Sequence, residues 1–254
     1  MASNIELLDL QKILYVSSNP TRRWLHCTRR DWIFGALRRY GVPAHGRALE
    51  VGPGSGIYLP TLGKLFEEVF ATDIEDAYLT HAAPLQQSHR NLHLVIDDIT
   101  ASKLAQESFD LILCTEVLEH IANSSLALAG MRRLLKPGGV LILSTPQRYS
   151  PLELMAKIAF LPGIIQLVRR IYREPILETG HINLMTAGEV ERQLLGAGFL
   201  ISERHKSGMY LPFIAEFCGT SGLKAAQWME RTLRGKPCDG LLWTQYYIAH
   251  AAPC

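Results

Sequence analysis

The chain has 254 residues, 26 basic and 24 acidic side chains, a formal charge of +2 and 48% apolar residues. That length suits one large α/β domain with insertions, and the near-neutral charge gives no general case for a nucleic-acid partner. The five cysteines, Cys27, Cys114, Cys218, Cys238 and Cys254, are odd in number and form no C-x-x-C pair, which argues for reduced thiols in a cytoplasmic setting.

Met1 to Leu10 carries Glu6 and Asp9 without a basic start, unlike a secretory leader. Residues 1–43 predict a helical cap, ending at Gly41-Val42-Pro43. Trp24, Leu25, Trp32, Ile33, Phe34 and Leu37 supply its apolar faces. The pairs Arg22/Arg23, Arg29/Arg30 and Arg38/Arg39 read as a solvated face, or else as a basic surface for anionic lipid or a phosphate-bearing substrate.

Arg47 to Val51 predicts a strand that runs into Glu50-Val51-Gly52-Pro53-Gly54-Ser55-Gly56. Glycine lets a ligand approach bare backbone, and the following helix, Tyr58 to Phe66, points its N–H groups at the same place. A dinucleotide fingerprint needs a third glycine where Ile57 stands, and Glu50 would repel a pyrophosphate while tolerating a cation. Glu68 to Asp73 predicts the second strand. Asp73 follows Gly52 by 21 positions, where an acid can accept from ribose hydroxyls with Ile74 on the adenine face, or cap a helix around Ala77.

Leu92 to Ile96 predicts the third strand. Phe109 to Cys114 is nearly continuous apolar, as a strand buried on both faces must be. Ser124 to Leu135 predicts a helix, Lys136-Pro137-Gly138-Gly139 a breaker turn, and Val140 to Ser144 another buried strand. Residues 147–179 break the alternation. Pro151 to Arg173 reads as one or two amphipathic helices with Lys157, Arg169, Arg170 and Arg173, and three readings stand: a substrate lid, a peripheral membrane contact, or packed core with a basic edge. The longest apolar run there, Ile158 to Val168, is broken by Pro162 and Gly163 and is too short for a span. Thr186 and Glu189 form a capping box ahead of a helix to Ala197, and Phe199 to Arg204 predicts a strand. Residues 208–238 predict a second substrate-covering insertion, with an apolar stretch Met209 to Phe217 and a helix Thr220 to Arg234. Leu242 to Ala249 is the last strand.

Three motifs in order, E-x-G-x-G-x-G from Glu50, F-D-x-I-x-x-x-x-V-L-E-H-I from Phe109, and L-L-K-P-G-G-x-L-I-L-S-T-P from Leu134, closely resemble class I S-adenosylmethionine-dependent methyltransferases across Arg47 to Pro146. The resemblance implies an α/β fold, a doubly wound, seven-stranded, mostly parallel sheet whose last strand is antiparallel, in one domain over 1–254. It implies S-adenosylmethionine held by Glu50, Gly52, Gly54, Gly56, Asp73, Ile74, Asp98, Ile99 and the backbone near Cys114 and Thr115. Asp98 matches the residue that accepts the adenine amino group, with Asp97 as its neighbour and competitor.

Glu116, Glu119 and His120 follow the central strand at i, i+3 and i+4, which share one face if the turn is helical. His181 comes 61 positions after His120, just before the capped helix. Two carboxylates and two imidazoles suit a divalent cation such as magnesium or zinc. E-x-x-E-H with a distant histidine looks like the metal site of small-RNA 2′-O-methyltransferases. The same element with Ser144-Thr145-Pro146-Gln147-Arg148 is nearer the O-methyltransferases of ubiquinone biosynthesis. The expectation is metal-assisted O-methylation of an apolar phenolic or quinone-like molecule, with no nucleic acid. Val-Leu-Glu-His also recurs in this superfamily without a metal, His120 or His181 then serving as a general base. Metal-independent N- or C-methylation of a soluble metabolite stands as an alternative, as does cofactor binding without catalysis.

Overall fold

Strand β4 (Phe109–Thr115) lies at the centre of the sheet because both of its faces are apolar. Ile112 and Cys114 enter one core with Leu49, Leu128 and Leu141, while Leu111 and Leu113 enter the other with Ile33, Leu62 and Ile142. The computed structural model describes residues 13–41, 46–159, 166 and 180–252. The remaining strands are β1 (Arg47–Val51), β2 (Glu68–Asp73), β3 (Leu92–Ile96), β5 (Leu135–Pro146), β6 (Phe199–Ser207) and β7 (Thr244–Ala251). Their order is β3-β2-β1-β4-β5-β7-β6, with β7 antiparallel to both β5 and β6 and the other neighbours parallel. This is the expected doubly wound sheet. Strand order reverses between β1 and β4, so a crevice opens at the carboxyl ends of those two strands.

One expected turn is absorbed into a strand as a bulge. Lys136-Pro137-Gly138-Gly139 lies within β5, which starts at Leu135. Its irregularity appears as a register shift against β4 between Phe109 and Leu111, with Lys136 paired to Asp110 at 2.8 Å. Gly138 supplies the left-handed backbone that this requires.

Helices cover both faces: α1 (Pro20–Tyr40), α2 (Leu59–Leu65), α3 (Asp76–Ala82), α4 (Ser124–Leu134), α5 (Pro151–Ala159) and α6 (Ala187–Gly196). Asn19 starts α1 by accepting from Thr21 N and Arg22 N, and Pro20 follows where a missing N–H costs nothing. The Thr186–Glu189 capping box is present at α6. The second inserted segment forms α7 (Pro212–Phe217) and α8 (Gly219–Leu233), and it docks on the cap. Leu25 of α1 packs with Tyr210, Ala215 and Trp243, and Asn19 Nδ2 donates to the Ala215 carbonyl.

The arginine pairs of α1 do not form one solvated face. Arg22 and Arg29 are seven residues apart, two helical turns, so both point inward, to Glu216 at 2.7 Å and Glu116 at 2.5 Å. Among the described residues no helix is long and apolar enough to cross a membrane. Of the first insertion, α5 is described; 160–165 and 167–179, with the expected helix to Arg173, lie outside the described residues, as do Val42 and Pro43.

Candidate active site

The glycine loop closes on the turn that follows β4. Gly52, Gly54 and Gly56 have φ of 67°, 50° and 71°, the left-handed region that favours glycine. A Cβ on Gly52 would stand 2.4 Å from Val117 Cγ2. Beneath the loop Glu50 is 1% exposed, and its Oε2 is buried without a partner. Burial pushes this carboxyl well above the usual carboxylate range. An orphaned acid under a bare backbone turn fits a ligand that brings a cationic donor.

At the end of β2, Asp73 Oδ1 accepts from Glu75 N at 2.9 Å, and burial raises its carboxyl. Ile74 beside it is 67% exposed, an apolar surface left at the carboxyl edge where a flat ring can pack. Asp98 is exposed and its Oδ1 caps Thr100, whereas Asp97 Oδ1 accepts from Lys103 N and its Oδ2 is buried without a partner. The unsatisfied oxygen is thus the competitor's. Ile99 and Cys114 bury their side chains in the core, which leaves their backbone for a cofactor, and half-buried Thr115 ends β4 opposite Ser144.

Three of the four expected metal ligands converge. One ligand atom from each of Glu119, His120 and His181 lies within 4.8 Å of the others, and the two rings meet edge to face at 5.1 Å. Leu118–His120 is a short 3₁₀ turn at the exit from β4. The backbone carbonyl of Glu119 accepts from Ile182 N and Asn183 N, which pins the His181 segment beside it. Glu119 is fully buried, takes a hydrogen bond from Thr145 Oγ1 at 3.0 Å, and leaves Oε1 without a partner. Burial and then Glu116 push its carboxyl up to about 8. Crowding by protein and the neighbouring His181 push His120 down to about 4. Burial lowers His181, but its contact with Glu153 outweighs this and the imidazole is raised.

Glu116 does not join the cluster. Its φ of 55° places it in the left-handed region, so it precedes the 3₁₀ turn instead of starting it, and the i, i+3, i+4 face is broken. Its carboxylate accepts from Arg29 and from Ser144 Oγ at 2.8 Å. The serine and threonine of Ser144-Thr145-Pro146 therefore each hold one of the two glutamates. Sheet register could have indicated this, because Thr115 pairs with Ser144 across parallel strands. Arg29, Glu153 and Trp243 carried no local signal.

A switch-point crevice with a glycine loop and a buried acid is the arrangement that the class I methyltransferase fold uses. Residues 49–143 match the model of the methyltransferase domain family. The ubiquinone biosynthesis O-methyltransferase of Pseudomonas aeruginosa (strain LESB58) is 32% identical over 145 residues, 56% of this chain and 60% of that protein. The chain thus spans less than two thirds of the length of such relatives. Among solved structures, the N-methyltransferase NodS from Bradyrhizobium japonicum WM9 in complex with S-adenosyl-L-homocysteine has a TM-score of 0.60 at 17% identity, covering 98% of this chain and 96% of that one. The [4+2]-cyclase SpnF also has a TM-score of 0.60, at 15% identity over 88% and 81% of the two chains. At these identities the structural likeness is one of fold.

Proposed function

We propose that this chain is an S-adenosylmethionine-dependent O-methyltransferase acting on an apolar phenolic or quinone-like small molecule, assisted by a divalent cation. The observation that carries the reading is the convergence of Glu119, His120 and His181 at the exit from β4, next to Val117, which abuts the glycine loop. The relatives named as O-methyltransferases of ubiquinone biosynthesis support oxygen as the methylated atom and a quinone-related acceptor. Exposed Leu154 and Ile158 on α5, one helical turn apart, suit either an apolar acceptor under a lid or a membrane surface.

Glu50 would accept from the amino group of the cofactor and ionise as that cation arrives, Asp73 would accept from the ribose, and Ile74 would pack on adenine. When bound, S-adenosylmethionine supplies a methyl group on a cationic sulfur, an already activated donor. The acceptor hydroxyl must shed its proton as the new bond forms. Glu119, His120 and His181 would hold the cation, which would lower that hydroxyl's pKa. Two imidazoles with one carboxylate favour a borderline ion such as zinc over magnesium. His120 stays neutral near pH 7, since its pKa is about 4, and so keeps a lone pair for this task.

A second, metal-free reading uses the same geometry, with His181 as general base supported by Glu153. The SpnF likeness adds that this fold alone does not choose a reaction. The deciding assay is mass spectrometry with short-chain catechol-type quinone precursors, with added zinc or magnesium and again with chelator. We expect methylated product only with metal, and Glu119→Ala to abolish it while S-adenosylhomocysteine binds as before. Equal turnover in chelator would select the metal-free reading. Intact S-adenosylhomocysteine binding without methylation of any acceptor would select a non-catalytic cofactor-binding protein.

A further inference from the structure

Both imidazoles of the cluster are held from one side. His120 hydrogen-bonds the backbone of Gly180, and His181 Nδ1 stands 3.1 Å from Glu153 Oε2. Glu153 is itself fixed. Its side chain is only 8% exposed, and its other oxygen accepts from Trp243 Nε1 at 2.9 Å. Trp243 is buried in turn, with the Arg29 guanidinium 5.0 Å from its ring centroid. A carboxylate with one oxygen tied to an indole has little freedom in how it meets an imidazole. A neutral ring that donates Nδ1–H to it must carry its lone pair on Nε2. All three residues lie outside the matched methyltransferase segment, 49–143.

We propose that Glu153 is a positioning residue: it fixes His181 in the Nδ1–H tautomer and so presents Nε2 to the site, with Trp243 holding Glu153 in place. The contact also joins the start of α5 to the residue that follows the first insertion, so the two ends of that segment meet at the site. Only the metal-affinity part of the test rests on the metal-assisted reading above, because the tautomer is a property of the protein alone.

The experiment uses full-length protein labelled with ¹⁵N-histidine, without metal, with the pH raised until the His181 ring is neutral, because the Glu153 contact raises this imidazole. NMR correlation spectra show which ring nitrogen of His181 carries the proton, and calorimetry with zinc chloride gives the affinity. In the wild type we expect Nδ1–H at His181. Glu153→Ala should mix the tautomers and weaken zinc about 10- to 100-fold, the usual effect of removing a carboxylate behind a ligating histidine. Glu153→Gln, which keeps an acceptor, should retain the tautomer and lose less than the alanine variant, with S-adenosylhomocysteine affinity unchanged in both. Trp243→Phe should fall between them. An Nε2–H tautomer in the wild type, or an unchanged tautomer in Glu153→Ala, overturns the proposal. If the wild type binds no zinc, the metal-assisted reading fails and the tautomer alone decides the role of Glu153. If Glu153→Ala does not fold, Trp243→Phe decides: an unchanged His181 tautomer and zinc affinity there overturn the chain of contacts.

Discussion

Replacing Arg29 by methionine tests whether the cap helix is tied to the site by charge. Arg29 Nη1 lies 2.5 Å from Glu116 Oε2, and the two side chains are only 14% and 19% exposed. The guanidinium also sits 5.0 Å from the Trp243 ring centroid. Removing one partner of a buried pair strands the other and costs about 3–5 kcal/mol. Residual water contact at both ends places this pair near the low end, about 3 kcal/mol, and the lost ring contact adds about 0.5–1 kcal/mol. Methionine keeps the apolar stem, so most of the change is electrostatic. The assay is urea unfolding at low ionic strength, comparing the wild type, Arg29→Met, Glu116→Gln and the double variant. The double variant leaves no lone charge and should recover at least half of the single-site loss. A loss under about 0.5 kcal/mol in Arg29→Met, or a double variant no better than Arg29→Met, would refute the reasoning; the smaller figure is what an exposed pair contributes.

The remaining predictions concern the floor of the site. Gly52→Ala combines a left-handed φ with a Cβ 2.4 Å from Val117 Cγ2. It should weaken S-adenosylhomocysteine at least tenfold by calorimetry, with Val117→Ala restoring part of the loss by relieving the clash and not the strain. The raised carboxyl of Glu119, about 8, lies above its value in an unfolded chain. For this group the fold is therefore most stable with the carboxyl protonated, and stability falls as pH rises from about 4.5 to about 8. Glu119→Gln should stabilise the metal-free protein at about pH 8.5 by more than the ~1.4 kcal/mol linked to one pKa unit, with the gain gone near pH 4.5. A gain that does not depend on pH would show that Glu119 ionises freely in the fold.

Much of the fold was legible because its signals are local. An apolar run such as Phe109 to Cys114 can be satisfied only with cover on both faces, and the Thr186–Glu189 box is complete within four residues. The glycine loop and its acid were legible for the same reason, since backbone conformation and burial at Glu50 to Gly56 follow from adjacent residues. The breaker signal at Lys136 to Gly139 survives as an irregularity inside β5, where the register against β4 shifts between Leu135 and Val140 and Gly138 is left-handed.

What sequence alone determined is thus the sheet, the glycine loop and three of the four candidate ligands, the three that the fold brings together. Tertiary structure decided the rest. It turned Glu116 toward Arg29, placed Ser144 and Thr145 under the two glutamates, and brought Glu153 and Trp243 behind His181. The physical reason is distance along the chain. Arg29 and Glu116 are 87 positions apart, and Glu153 and Trp243 are 90 apart. No local pattern encodes such contacts; they exist only once the helices and the antiparallel seventh strand have packed around the carboxyl edge of the sheet.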